Sequence, residues 1–174
     1  MSLRLFVHKG YSGTTVRAIA KHAKVSPGLM FHYFPSKQAI LEEHARVVEL
    51  GIDSVVQLLT SAEQPLAAFH RIAAMILESF RDDYAKHLFL LANQIMSVES
   101  IPITARQKVS ATKSIEASVP LIALGQQRQE MKLGDPLALA VTFWGALQGI
   151  AEVLAWNPDA PIPGVEIVLG ILKA

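Results

Sequence analysis

Within eight residues, Ser26 to Tyr33, the sequence sets a hydroxyl, a proline, a glycine and four bulky side chains, Leu29, Phe31, His32 and Tyr33. Such a group on a turn and a half of helix is an odd surface for water. It suits sugar, phosphate and base edges, which take apolar contact, stacking and hydrogen bonds together. The start of this helix, at Ser26 or Pro27, adds free N–H groups and a positive dipole end, both matched to an anion. Lys37 follows in the first turn of the next helix, where a cation opposes the macrodipole. Its presence there points to another task, a phosphate contact.

Other chemistry finds little support. Six histidines invite a metal, but Asp83 and His87, four apart on one helical face, are only two ligands, and a surface ion pair is the simpler reading. There is no HExxH, glycine-rich phosphate loop or GxSxG elbow, and Glu78, Glu99, Glu116 and Glu152 show no spacing that demands acid/base pairing. The chain has no cysteine, which excludes a disulfide framework, a thiolate metal site and a cysteine nucleophile. The sequence thus implies no enzyme, metal or cofactor. For His32 the plain alternative to a phosphate or base contact is capping or packing.

The elements that must hold these residues can be read around them. Thr14 or Thr15 can cap a helix whose stripe is Val16, Ile19, Ala20 and Ala23. Ser26 caps the next, with Pro27 at its first position, where a missing N–H costs nothing. Three or four residues separate the two, which forces a steep crossing, a helix-turn-helix. Upstream, Leu3, Leu5, Phe6 and Val7 read as the last turns of an amphipathic helix ending at Gly10.

Gly10-Tyr11, Thr14-Thr15-Val16, Ile19-Ala20, Ala23, Val25-Ser26, Gly28, Phe31, Tyr33, Phe34, Ser36-Lys37 and Leu41, taken as a spaced set, resemble the DNA-binding domain of TetR-family transcriptional regulators. The resemblance covers about a quarter of the chain. It implies a DNA-binding head over residues 1–45, with Thr15, Ser26, Pro27, Gly28, Phe31, His32, Tyr33 and Lys37 as contacts to double-stranded DNA. It also implies a homodimer that sets two such helices in successive major grooves, joined through a four-helix interface from Thr104–Lys132 and Pro136–Trp156. The family's first helix is about twice as long as the run read here, so either the native chain begins earlier, or Met1 to Leu3 is partly foreign, or the head is weakened. Two departures stand out: Lys24 occupies a position where the family usually has glycine, and Phe31 one where it usually has tyrosine.

Charge separates the chain in the same place. Residues 1–46 hold seven Lys and Arg against two Glu, a net +5, and the remainder holds nine against thirteen, a net −4. A basic head on an acidic body suits a nucleic-acid reader with a separate sensing domain. The apolar runs are broken by charge or amide within about ten residues, which reads as a cytoplasmic chain with no membrane segment.

Residues 46–174 read as a helical ligand-binding and dimerisation domain, so the class is all-α. A helix of more than twenty residues starts at Ser36, fresh starts follow near Pro65 and Asp82, a long helix runs from about Thr104 to Lys132 with a kink at Pro120, and another starts at Asp135-Pro136. That last helix is apolar on both sides, and a second subunit is the simple remedy. Phe69, Phe80, Tyr84, Phe89, Met96 and Trp144, with Asn93, are candidates to line a pocket for an apolar or aromatic small molecule. Ordinary core is the alternative for each ring, and protein partners the alternative for the amides Asn93 and Gln94. The sequence therefore predicts a ligand-responsive dimeric repressor; a ligand-binding or interaction dimer with impaired DNA binding is the alternative.

Overall fold

A computed structural model describes residues 2–110 and 112–174. The described residues form ten helices and no strand: α1 (Ser2–Lys9), α2 (Val16–Ala23), α3 (Pro27–Tyr33), α4 (Lys37–Ser61), α5 (Pro65–Ser79), α6 (Asp83–Ser97), α7 (Ile103–Lys108), α8 (Thr112–Gln127), α9 (Pro136–Trp156) and α10 (Val165–Leu169). They belong to two compact units. The first is residues 1–50 with 87–110, the second 51–86 with 111–174. The boundary expected near residue 45 falls inside α4, a single helix of 25 residues.

In the first unit the core of the head is Leu3, Leu5 and Phe6 from α1, Ile19 and Ala20 from α2, and Ile40, Leu41 and Ala45 from α4, all buried. Gly10 ends α1 in the left-handed region at φ 70°, and Gly13 then brings the chain so close to α1 that a Cβ there would collide with the Lys9 carbonyl oxygen. Thr14 is buried and its hydroxyl reaches the carbonyls of Gly10 (2.8 Å) and Leu5 (3.1 Å), tying the turn to the helix it leaves. That leaves the capping of α2 to Thr15, whose hydroxyl accepts from Ala18 N at 3.1 Å. Val48 of α4, Leu90, Leu91 and Ile95 of α6, and Ile101, Ala105 and Val109 around α7 are also buried in this unit.

In the second unit α8 and α9 pack along each other, with α5 and α10 against them. Phe69 and Phe143 meet edge to face at 5.1 Å, both fully buried. Gly125 lets the buried Met131 close over α8, since a Cβ would stand 2.6 Å from its sulfur. The helix expected from Thr104 to Lys132 is two helices, α7 and α8, with Val109 in extended backbone between them; Pro120 lies within α8. The sequence reading also understated α9, which at 21 residues and mean hydropathy 1.6 is long and apolar enough, by length and composition, to cross a membrane. Ala140, Phe143, Leu147, Ala151 and Leu154 form its buried stripe, and only 28% of its apolar window is buried.

Candidate nucleic-acid interface

The turn between α2 and α3 closes through the backbone. Lys24 takes the left-handed conformation (φ 56°, ψ 38°), its N–H reaching the Lys21 carbonyl oxygen at 3.2 Å, and Val25 N–H reaches back to Ala20 at 3.0 Å. A side chain in that conformation costs about 1 to 2 kcal/mol, which glycine would avoid. Ser26 then caps α3, its hydroxyl accepting from Leu29 N at 3.1 Å, with Pro27 in the first turn.

α3 is the one helix of the head that contributes nothing to the core: none of its seven residues is buried. Leu29 is 46% exposed, Phe31 50% and Tyr33 69%, a large apolar and aromatic surface left in water. Such a patch marks a contact surface. The His32 and Tyr33 rings meet edge-on at 5.2 Å, which holds both along the helix. A Cβ at Gly28 would meet only the Ser26 hydroxyl oxygen, at 4.0 Å, so the helix surface is low there.

Of the eight contact residues predicted, Ser26, Pro27, Gly28, Phe31, His32 and Tyr33 stand together on or beside α3, all exposed, and Thr15 is exposed at the start of α2. Lys37 is half-buried, and its Nζ donates to the Tyr11 carbonyl oxygen at 2.7 Å while lying 4.1 Å from the Tyr11 ring centroid. Burial holds its pKa below the usual lysine value. The cation at the start of α4 thus has an occupation inside the head. Tyr11 in turn stacks on Phe6 at 6.2 Å, and burial, with the Glu42 carboxylate, raises its pKa.

The sequence reading did not single out Arg17 and Lys21, both exposed on α2, as contact residues. The charge imbalance of the first 46 residues was the signal for the two cations. Among the described residues no group of three His, Cys, Asp or Glu is placed to hold a metal ion.

The pocket residues scatter. Phe69 and Phe80 are buried in the second unit, Trp144 donates its indole N–H to Ser118 Oγ at 3.0 Å, and Tyr84 is 45% exposed. Phe89 and Asn93 are half-buried and Met96 is 40% exposed, all in the first unit. Two shallow recesses of about 410 and 400 Å³ in the second unit are lined by none of the seven. Gln94 finds its partner within the protein, donating to the Val7 carbonyl oxygen at 2.9 Å. His87 is buried and meets His8.

Residues 2–44 match the sequence model of bacterial regulatory proteins of the tetR family. That match identifies a TetR-family N-terminal segment, about a quarter of the chain. It is similar to the uncharacterised HTH-type transcriptional regulator YuxN of Bacillus subtilis, 28% identical over 87% of this chain and 50% of that protein. It is also similar to the HTH-type transcriptional repressor KstR2 of Rhodococcus jostii, 30% identical over 48% of this chain and 46% of that one. The chain spans about half to three-fifths of the length of the curated relatives it matches first. In fold it resembles the MbdR regulator from Azoarcus (TM-score 0.74, 20% identity, 98% of this chain and 92% of that one) and PfmR from Thermus thermophilus (TM-score 0.72, 19% identity, 97% and 91%).

Proposed function

We propose that the chain is a ligand-responsive transcriptional regulator of the repressor type, cytoplasmic, two copies of which bind a near-palindromic operator and leave it when a small apolar or aromatic molecule binds. The observation that carries this is α3, a capped helix that buries none of its residues and turns Leu29, Phe31 and Tyr33 outward. Arg17, Lys21 and Lys24 on the preceding helix and turn add exposed positive charge for phosphate. Thr15, Ser26, Pro27, Gly28, Phe31, His32 and Tyr33 make the DNA contacts, and Lys37 acts chiefly by holding the Tyr11 turn in place.

Dimerisation runs through α8 and α9. The outer side of α9 presents Leu137 (48% exposed), Val141 (51%), Val153 (38%) and Trp156 (74%), with Gly145 and Gly149 open to close approach. An apolar helix face of this length needs a cover, and a second copy supplies a matching one.

The effector reading centres on α6. Phe89, Asn93 and Met96 lie four and three residues apart and share one face, whereas His87, Leu91 and Gln94 share the opposite face, which meets α1. A molecule seated on the first face would shift the helix that holds the head's first helix on the other. Residues 1–45 serve as the reader and 46–174 as the sensing and dimerising part.

Selection from a randomised duplex pool tests the proposal. Enrichment of an inverted repeat with half-sites about one helical turn or slightly more apart supports the dimeric reader. Recovery of no sequence shifts the balance to the ligand-binding dimer with impaired DNA binding.

A further inference from the structure

The C-terminal turn of α1 is fastened to α6 at two points in the first unit. Gln94 Nε2 donates to the Val7 carbonyl oxygen at 2.9 Å. Seven residues earlier on the same face of α6, His87 Nε2 lies 3.2 Å from His8 Nε2, with ring centroids 5.3 Å apart and planes at 67°. The centroid separation exceeds the nitrogen separation by slightly less than the two ring radii, so the two nitrogens face each other. That is the geometry of one N–H···N hydrogen bond. No third His, Cys, Asp or Glu among the described residues completes a metal site with them.

The chemistry of this bond sets how many protons it tolerates. In the neutral pair one ring carries its proton on Nε2 and donates, while the other carries its proton on Nδ1 and accepts at Nε2. A first added proton goes to the donor ring's Nδ1 and leaves the bond intact, now charge-assisted. A second has only the accepting Nε2 to go to. Both Nε2 atoms then carry hydrogens, neither accepts, and two cations face each other at contact distance.

We propose that His8–His87 is a proton-sensitive latch between α1 and α6, closed with no or one added proton and open with two. His87 is buried and His8 exposed, so the pair is packed from one side and open to solvent protons from the other. The ionisable groups on the helices that meet here are Arg4 and Lys9 of α1, Asp83 and Lys86 of α6, and Glu42, Glu43 and His44 of α4. The functional consequence, weaker operator binding at acid pH, rests on the reading of the head as a DNA reader; the latch itself does not.

The test compares the full chain with its His8→Gln variant, whose amide can still donate to a neutral His87 but cannot ionise. Hydrogen exchange at the α1 amides, corrected for intrinsic rates, is followed from pH 7.5 to 5.0. The latch predicts that wild type loses about tenfold in protection across this range and the variant does not, an effect the size of one pKa unit. His44 is present in both and cancels. Equal pH profiles overturn the latch. If His8→Gln fails to fold, ring-nitrogen titration of wild type decides: two steps separated by more than a unit support the latch, and two unperturbed steps near the ordinary histidine value overturn it. Operator binding measured at both pH values is the separate arm. Loss of exchange protection without loss of binding leaves the latch standing and removes its role in DNA reading.

Discussion

The Lys37 ammonium donates to the Tyr11 carbonyl oxygen, 2.7 Å away, and lies 4.1 Å from the centroid of that residue's ring. One cation thus joins the first turn of α4 to the turn that leaves α1. Replacing it removes a charge-assisted hydrogen bond and a cation–π contact, at a cost of about 1 to 2 kcal/mol in a half-buried setting. Lys37→Met should lower the denaturant midpoint of the head by that amount and weaken all duplexes alike. If operator affinity falls and its salt slope drops by about one charge while stability stays constant, Lys37 is a phosphate contact and not a brace.

Lys24 and its left-handed backbone give a prediction of opposite sign. The turn already closes through Val25 N–H to Ala20, so Lys24→Gly keeps the hydrogen bonds and relieves the Cβ. Stability should rise by about 1 kcal/mol in urea unfolding. A decrease would show that the Lys24 side chain holds the turn by contacts that outweigh the strain.

Gly13 is fixed by space and not by φ. Gly13→Ala drives a methyl into the Lys9 carbonyl, which α1 cannot move without losing the Thr14 hydrogen bonds to Leu5 and Gly10. The head should lose about 2 to 3 kcal/mol, seen as a lower Tm and faster exchange in α1. Gly10→Ala, where only the positive φ matters, should cost about 1 kcal/mol.

These positions show what the sequence could and could not tell. The helix starts at Ser26, Ser36 and Asp135 were legible because a capping oxygen, followed by proline at Ser26 and Asp135, is local chemistry, decided within three residues. Whether Thr14 or Thr15 caps α2 was not, because the choice rests on Thr14 reaching Leu5 nine residues back. The break between α7 and α8 was missed since no glycine or proline marks Val109, while Pro120, the obvious breaker, lies inside α8. Lys37–Tyr11, Gln94–Val7 and His8–His87 span 26, 87 and 79 residues, and no periodicity foretells such pairs. The exposed face of α3 was visible in advance because its residues fit no stripe.

The outer side of α9 carries the dimer prediction. Val141→Glu and Leu137→Glu place carboxylates at half-exposed positions that a partner would bury, and neither touches the stripe through Phe143 and Leu147. Sedimentation should show a dimer for wild type and a monomer for the double variant with helicity unchanged, since an unpaired charge buried in an interface costs several kcal/mol. A dimer that survives both changes would place the interface elsewhere.

His44 supplies the pH dependence. It sits against Phe6, edge-on at 6.3 Å, with Nε2 2.7 Å from the Ser2 hydroxyl, and burial pushes its pKa from 6.5 down to about 4. The unfolded chain therefore binds a proton that the folded head refuses between those two values. Stability contributed by the neutral ring is fully present above pH 6.5 and is lost as the pH falls toward 4, by about 2 to 3 kcal/mol in all. His44→Gln removes that slope. Unfolding midpoints from pH 7.5 to 4 should decline more steeply in wild type than in the variant, and the remaining slope, compared with His8→Gln, separates this ring from the His8–His87 pair. Parallel curves for wild type and His44→Gln would mean that His44 takes up its proton in place, without leaving the head.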